Sequence, residues 1–247
     1  MAAGPEFAPP DWLGDWEYAH RGLHGSGRPE NSMAAFAAAF DAGMGVECDV
    51  RLSADGIAMV FHDETLERLA GEAAGLRQKS AEELERVAIG GTDETIHRLD
   101  ALLGLAAGRF PVLVEIKTSA ERPVNRLCRA VARSLEGHAG PAAIMGFDPR
   151  VPRWFAERAP AVPRGLVVTE EGRRTFVAGI KRRMTLGASR AQFLAYDIRD
   201  LPSRSAARAR AAGLPVLTWT VKTPDQRAVA AEHADAPIAE GAGIAMV

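Results

Sequence analysis

The chain is short of cysteine, of charge of one sign and of long apolar runs, and each shortage removes a class of protein. Only two cysteines are present, Cys48 and Cys128, and they lie far apart. Neither a disulfide framework nor a thiolate zinc site can be built from such a pair. We expect buried free thiols in a reducing compartment, which makes the cytoplasm the expected location. A formal net charge of −2 provides no basic excess for holding a nucleic-acid backbone. No stretch approaches the ~20 apolar residues that a transmembrane segment needs. Residues 1–16 lack the basic start and apolar run of a secretory signal. Aromatic residues are few, so Phe7, Trp12 and Trp16 gathered around Leu13 stand out; we read this group as a cover for an open end of the core rather than a lipid contact.

What the chain does have is alternation. With 47% hydrophobic residues it can bury a large core. Strand-like runs at Glu17–Arg21, Val46–Leu52, Val112–Lys117, Ala142–Phe147, Arg164–Thr169, Gln192–Tyr196, Pro215–Val221 and Ala236–Ala239 are separated by helix-like segments. A further run, Ile57–Phe61, follows the turn Ser53-Ala54-Asp55-Gly56 and reads as the returning arm of a hairpin. Residues 64–110 break the rhythm. They are charged, with helical patches such as Ser80–Val87, and we read them as an insertion after the second strand unit. Eight parallel-strand candidates predict one α/β domain over residues 1–247, a (β/α)8 barrel. An open doubly wound sheet ranks second, because its Gly-rich fingerprint after the first strand is missing.

Chemistry gathers at strand ends. Side chains two apart on a strand share a face, so Glu47 pairs with Asp49 and Glu115 with Lys117. Three carboxylates converging at a barrel mouth repel one another unless a cation intervenes. Oxygen-only ligation favours magnesium, calcium or manganese over zinc. His20 and His62 each close an apolar run near this cluster and suit a general acid and a general base. Arg21 and Lys117 supply fixed positive charge for a phosphodiester anion. The inventory is that of metal-assisted phosphate-ester hydrolysis.

These residues also carry a resemblance. Ala19-His20-Arg21-Gly22, Arg28-Pro29-Glu30-Asn31-Ser32, Val46-Glu47-Cys48-Asp49-Val50, Asp55-Gly56 and Phe61-His62-Asp63 resemble the signature of the glycerophosphodiester phosphodiesterase family. Val114-Glu115-Ile116-Lys117 and Leu217-Thr218-Trp219-Thr220-Val221 match its later motifs, so the likeness runs from about residue 18 to residue 240. The resemblance implies a (β/α)8 barrel with a small insertion. It implies hydrolysis of a small-molecule glycerophosphodiester to glycerol 3-phosphate and an alcohol, with one divalent cation, magnesium or calcium. It further implies that Glu47, Asp49 and Glu115 bind the metal, that His20 and His62 are the acid/base pair, and that Arg21 and Lys117 hold the phosphate. Glu30 and Asn31 would line the site, and Trp219 would flank the substrate.

The sequence departs from the family pattern in places. Lys222 stands where an asparagine is usual, the last strand ends in Ile238-Ala239-Glu240-Gly241, and the residues after it leave no room for a full eighth helix. None of this removes a proposed catalytic position. A paired-carboxylate glycosidase, a barrel that only binds phosphate ligands, a lysophospholipase D-like enzyme and a cyclising phosphodiesterase are the alternatives.

Overall fold

A computed structural model describes residues 8–25, 27–119, 123–172 and 175–245; Phe7 lies outside them. The chain divides into two compact units, Ala19–Ala142 and a second made of Met1–Tyr18 with Ala143–Val247.

In the first unit, β1 (Tyr18–His20) leads to α1 (Met33–Asp41). Ser32 caps α1 by accepting from the Ala35 N–H at 3.1 Å, as its place before an alanine-rich run suggests. The helix gives way at Gly43, whose φ of +72° glycine adopts at no steric cost. β2 (Gly45–Leu52) follows, and the hairpin partner β3 (Ala58–Val60) returns antiparallel to it, Val50 facing Val60. β4 (Val112–Ile116) lies parallel to β2, and Lys117 N–H continues the pairing by donating to Val50 O at 3.1 Å.

The charged stretch 64–110 holds α2 (Glu67–Ala70), a 3-10 turn at Leu76–Gln78, α3 (Ala81–Leu84) and α4 (Leu99–Ala106). Its Leu66, Leu76, Leu84 and Ile96 form a small core together with Met59 of β3 and Phe61 just after it. α3 opens with the capping box that Ser80 and Glu83 announce: Ser80 N–H donates to Glu83 Oε2 at 2.7 Å, and Glu83 N–H to Ser80 Oγ at 3.3 Å. α4 buries Leu99, Leu102, Leu103 and Ala106 and packs on α1 and on α5 (Asn125–Leu135). Both cysteines are buried in this unit, and neither takes part in a disulfide.

The second unit alternates β5 (Ala142–Met145), α6 (Arg150–Arg158), β6 (Gly165–Val168), α7 (Phe176–Ser189), β7 (Phe193–Asp197), α8 (Arg204–Ala211), β8 (Val216–Val221), α9 (Pro224–His233) and β9 (Ala236–Ala239). The strands β6, β7, β8 and β9 pair in that order, all parallel. Their core is apolar on both faces, with Leu194, Tyr196, Val216 and Val221 buried, as parallel strands under helices require. Near the amino terminus a 3-10 helix, Asp11–Asp15, buries Leu13, whose carbonyl accepts from Tyr18 Oη at 3.0 Å; Trp12 and Trp16 are only partly covered. After β9 the described residues hold one 3-10 turn, Gly241–Gly243.

The eightfold strand–helix alternation expected from the sequence is therefore present, with β1, β2 and β4 to β9 as the eight strands.

Candidate active site

Strand register builds the cluster. In the parallel β2–β4 pair, Asp49 sits opposite Glu115. Period-two alternation adds Glu47 on the same face of β2. One carboxylate oxygen from each of Glu47, Asp49 and Glu115 lies within 4.8 Å of the others, and all three residues are buried. Two cations face them. Lys117 Nζ is 2.5 Å from Glu115 Oε1 and 3.0 Å from Asp49 Oδ1. Arg21 Nε is 2.9 Å from Asp49 Oδ2, and its backbone N–H donates to Glu47 Oε2 at 3.2 Å.

The loop after β1 makes this possible. Arg21 (φ +56°) and Asn31 (φ +59°) both occupy the left-handed region, which non-glycine residues seldom adopt. Gly22 lies between them in sequence at φ +78°, and a Cβ there would come within 2.7 Å of the Ala35 backbone. Close approach of this loop to α1 is what the glycine in Ala19-His20-Arg21-Gly22 provides. Asn31 then grips Asp49 twice: its Nδ2 donates to Asp49 Oδ2 at 3.0 Å, and its Oδ1 accepts from Asp49 N–H at 3.2 Å.

Three carboxylates and two cations leave an uneven balance. Burial pushes the Glu47 carboxyl well up, and the charges of Asp49 and Glu115 push it further. Glu115 is raised as well, first by burial, with Lys117 working against the shift. Burial also opposes the ionised form of Asp49, but Lys117 and Arg21 outweigh it and hold this carboxyl below the ordinary range. Lys117 keeps its proton: burial disfavours the charge, and Asp49 and Glu115 more than restore it. Glu47 Oε1 is buried without a hydrogen-bond partner. An orphaned carboxylate oxygen inside an all-oxygen trio is the donor set that a hard divalent cation satisfies. The residues present thus fit such an ion.

Both histidines expected at the site belong to this unit. His20 Nε2 stands 3.9 Å from Glu47 Oε2. His62 follows β3, and its Nδ1 is 2.7 Å from Asp63 Oδ1. Burial lowers the His62 pKa, against the pull of Asp49 and Asp63. Glu30 Oε1 accepts from Arg21 Nη1 at 2.8 Å. Trp219 belongs to the other unit, on β8, where its indole N–H donates to Ala195 O at 2.9 Å and its ring meets Phe147 edge-on, 5.4 Å between centroids. Lys222, in the same unit as Trp219, pairs with Glu240 at 2.7 Å.

Two residues were not given a role from sequence. Arg68, from α2 in the charged stretch, donates to both oxygens of Glu30, at 2.6 and 3.0 Å, and to Asp63 Oδ2 at 2.6 Å. Asp63 in turn holds His62. Hydrogen bonds and ion pairs therefore link His62, Asp63, Arg68, Glu30, Arg21 and Asp49 in one connected series. Adjacency to His62 was a usable signal for Asp63, whereas Arg68 had none.

The model of the glycerophosphoryl diester phosphodiesterase family matches residues 20–238. The chain belongs to that family. A Bacillus altitudinis glycerophosphodiester phosphodiesterase is 37% identical over 114 residues, a match covering 42% of this chain and 46% of that one, so less than half the length of that relative is spanned. A Mycobacterium tuberculosis relative provisionally named glycerophosphodiester phosphodiesterase 2 is 29% identical over 222 residues, 84% of this chain and 80% of its own. Among solved structures, an Oleispira antarctica phosphodiesterase in complex with sn-glycerol-3-phosphate superposes with a TM-score of 0.78 at 22% identity, covering 91% of this chain and 92% of that one. The Thermotoga maritima glycerophosphodiester phosphodiesterase gives a TM-score of 0.73 at 25% identity, covering 90% and 92%. This family member has the (β/α)8 barrel fold expected from its sequence, and the Bacillus altitudinis and Mycobacterium tuberculosis relatives carry the name glycerophosphodiester phosphodiesterase. Among the described residues, no helix is long and apolar enough to cross a membrane.

Proposed function

We propose that this chain hydrolyses glycerophosphodiesters to glycerol 3-phosphate and an alcohol, using a divalent cation and a pair of histidines. The observation that carries the reading is the buried trio Glu47, Asp49 and Glu115 with the unpartnered Glu47 Oε1, set beside Arg21 and Lys117. Glu47, Asp49 and Glu115 would hold magnesium or calcium, with manganese a third candidate. When bound, the ion supplies Lewis-acid polarisation of the phosphoryl oxygens.

The remaining work falls to the chain. Arg21 and Lys117 neutralise the phosphodiester anion and the extra charge that builds as the nucleophile arrives. Asn31 and Glu30 orient Asp49 and Arg21. Asp63 accepts from His62 Nδ1, which leaves Nε2 as the nitrogen for proton transfer. One histidine takes the proton of the attacking water as the new P–O bond forms. The other gives its proton to the departing alkoxide as the old P–O bond breaks. Trp219 is assigned a flanking contact with the substrate on the strength of the motif alone. A relative in complex with sn-glycerol-3-phosphate agrees with a small-molecule substrate of this kind.

The test is release of glycerol 3-phosphate from glycerophosphocholine, with and without EDTA, and with magnesium or calcium restored. Metal-dependent release supports the reading. Release that survives EDTA overturns the metal assignment, and inactivity on choline, ethanolamine, lysolipid and sugar diesters alike favours a barrel that only binds. A cyclic phosphate in the phosphorus NMR spectrum of the product would identify the substrate's own hydroxyl, not water, as the nucleophile.

A further inference from the structure

Exposed large apolar side chains are rare among the described residues, and three of them, Val177, Ile180 and Met184, lie on α7. Their exposures are 74%, 46% and 70%. The spacing i, i+3, i+7 puts them in one stripe along the helix. A surface helix normally turns such a stripe to the core. α7 already has its core-facing side: Leu186 packs on the buried cluster beneath it. Arg182 turns the same way, to Glu170 at 3.5 Å. Glu170 is itself fixed by Tyr196 Oη at 2.5 Å and Ser203 Oγ at 2.7 Å. The helix is anchored from below, and the second stripe faces solvent.

Charge frames that stripe. At about 100° per residue, Lys181 falls on one side of it and Arg183 on the other, both exposed. α7 contains no acidic residue. An apolar ridge bordered by cations is the pattern of a helix that lies in the plane of an anionic lipid surface. A second copy of this chain fits the ridge poorly, because a twofold interface would set Lys181 and Arg183 near the same cations of the partner.

We propose that α7 is a membrane-surface contact, which seats the enzyme on anionic lipid through Val177, Ile180 and Met184 with Lys181 and Arg183 at the headgroups. The surface goes beyond the hydrolytic reading and does not depend on it.

The test is co-sedimentation of the full chain with vesicles of phosphatidylcholine alone and of phosphatidylcholine with phosphatidylglycerol at about 3:1. The wild type is expected to pellet with the anionic vesicles, less so in high salt, and not with the neutral ones. The double variant Val177→Glu with Met184→Glu is expected to lower that partition at least about tenfold. Its melting temperature should not move, since both side chains are exposed. A wild type that stays in the supernatant, or a double variant that pellets equally well, overturns the proposal. A wild-type dimer on gel filtration that the double variant turns into a monomer assigns the ridge to a second copy and overturns it too.

Discussion

Replacing Asn31 separates two contributions that the site combines at one residue. Asn31 is buried, holds Asp49 by two hydrogen bonds of 3.0 and 3.2 Å, and does so at a φ of +59°. Asn31→Gly keeps the backbone conformation available and removes both bonds. Each is worth roughly 1 kcal/mol net, and more where the partner is left buried without a substitute, so a loss of about 2–3 kcal/mol is expected. Asn31→Ala removes the same bonds and places a Cβ in the left-handed region, which adds about 1 kcal/mol. For a chain of this size each kcal/mol moves the melting temperature by roughly 2–4 °C. Asn31→Gly should therefore melt about 4–12 °C below wild type, and Asn31→Ala another 2–4 °C below that. The assay is thermal unfolding followed by circular dichroism, with all three proteins in EDTA. Since Asn31 orients a proposed ligand, metal affinity should also fall on the order of 10- to 100-fold in both variants. An Asn31→Ala protein as stable as wild type would refute the hydrogen-bond argument. Equal melting of the glycine and alanine variants would refute the backbone argument while leaving the bonds in place.

The remaining predictions concern the same unit. His20→Ala and His62→Ala should each lower turnover on the order of 100-fold or more, measured on purified folded protein; a near-normal rate removes that histidine from the acid/base pair. Glu47→Gln keeps the shape of a carboxyl that burial and two neighbouring charges hold well above its usual pKa. A raised pKa in the folded state means that stability is fully present below the unfolded value and is lost as pH rises, so in EDTA the variant's advantage in melting temperature over wild type should widen from about pH 5 to about pH 8. Added magnesium or calcium should raise the melting temperature of wild type and not of this variant, and a variant stabilised as much as wild type removes Glu47 from the ligand set. Gly22→Ala brings a Cβ to within 2.7 Å of the Ala35 backbone at a φ of +78°, and a loss of about 2 kcal/mol or more is expected in a urea titration.

Pairings within one strand were legible in the sequence, because period two fixes which residues share a face. Glu47 with Asp49 and Glu115 with Lys117 were read in this way. The register that sets Asp49 beside Glu115 is a tertiary fact, and no local pattern carries it. Arg68 shows the same limit more sharply. An arginine in a charged, irregular stretch reads as solvated until the fold brings α2 to Glu30, 38 positions earlier. Helix starts follow a cap or a ring. α7 begins at Phe176, where Thr175 Oγ accepts from Ala178 N–H. α6 begins at Arg150, two residues before Pro152, since proline is tolerated in a first turn, where no N–H is needed.

The connected series from His62 to Asp49, together with His20, Glu47, Glu115 and Lys117, draws on residues 20–117 alone, all inside one compact unit. Every group proposed to hold the ion or to move a proton is thus fixed by packing within that one unit. A destabilising change there is expected to cost metal affinity and melting temperature together.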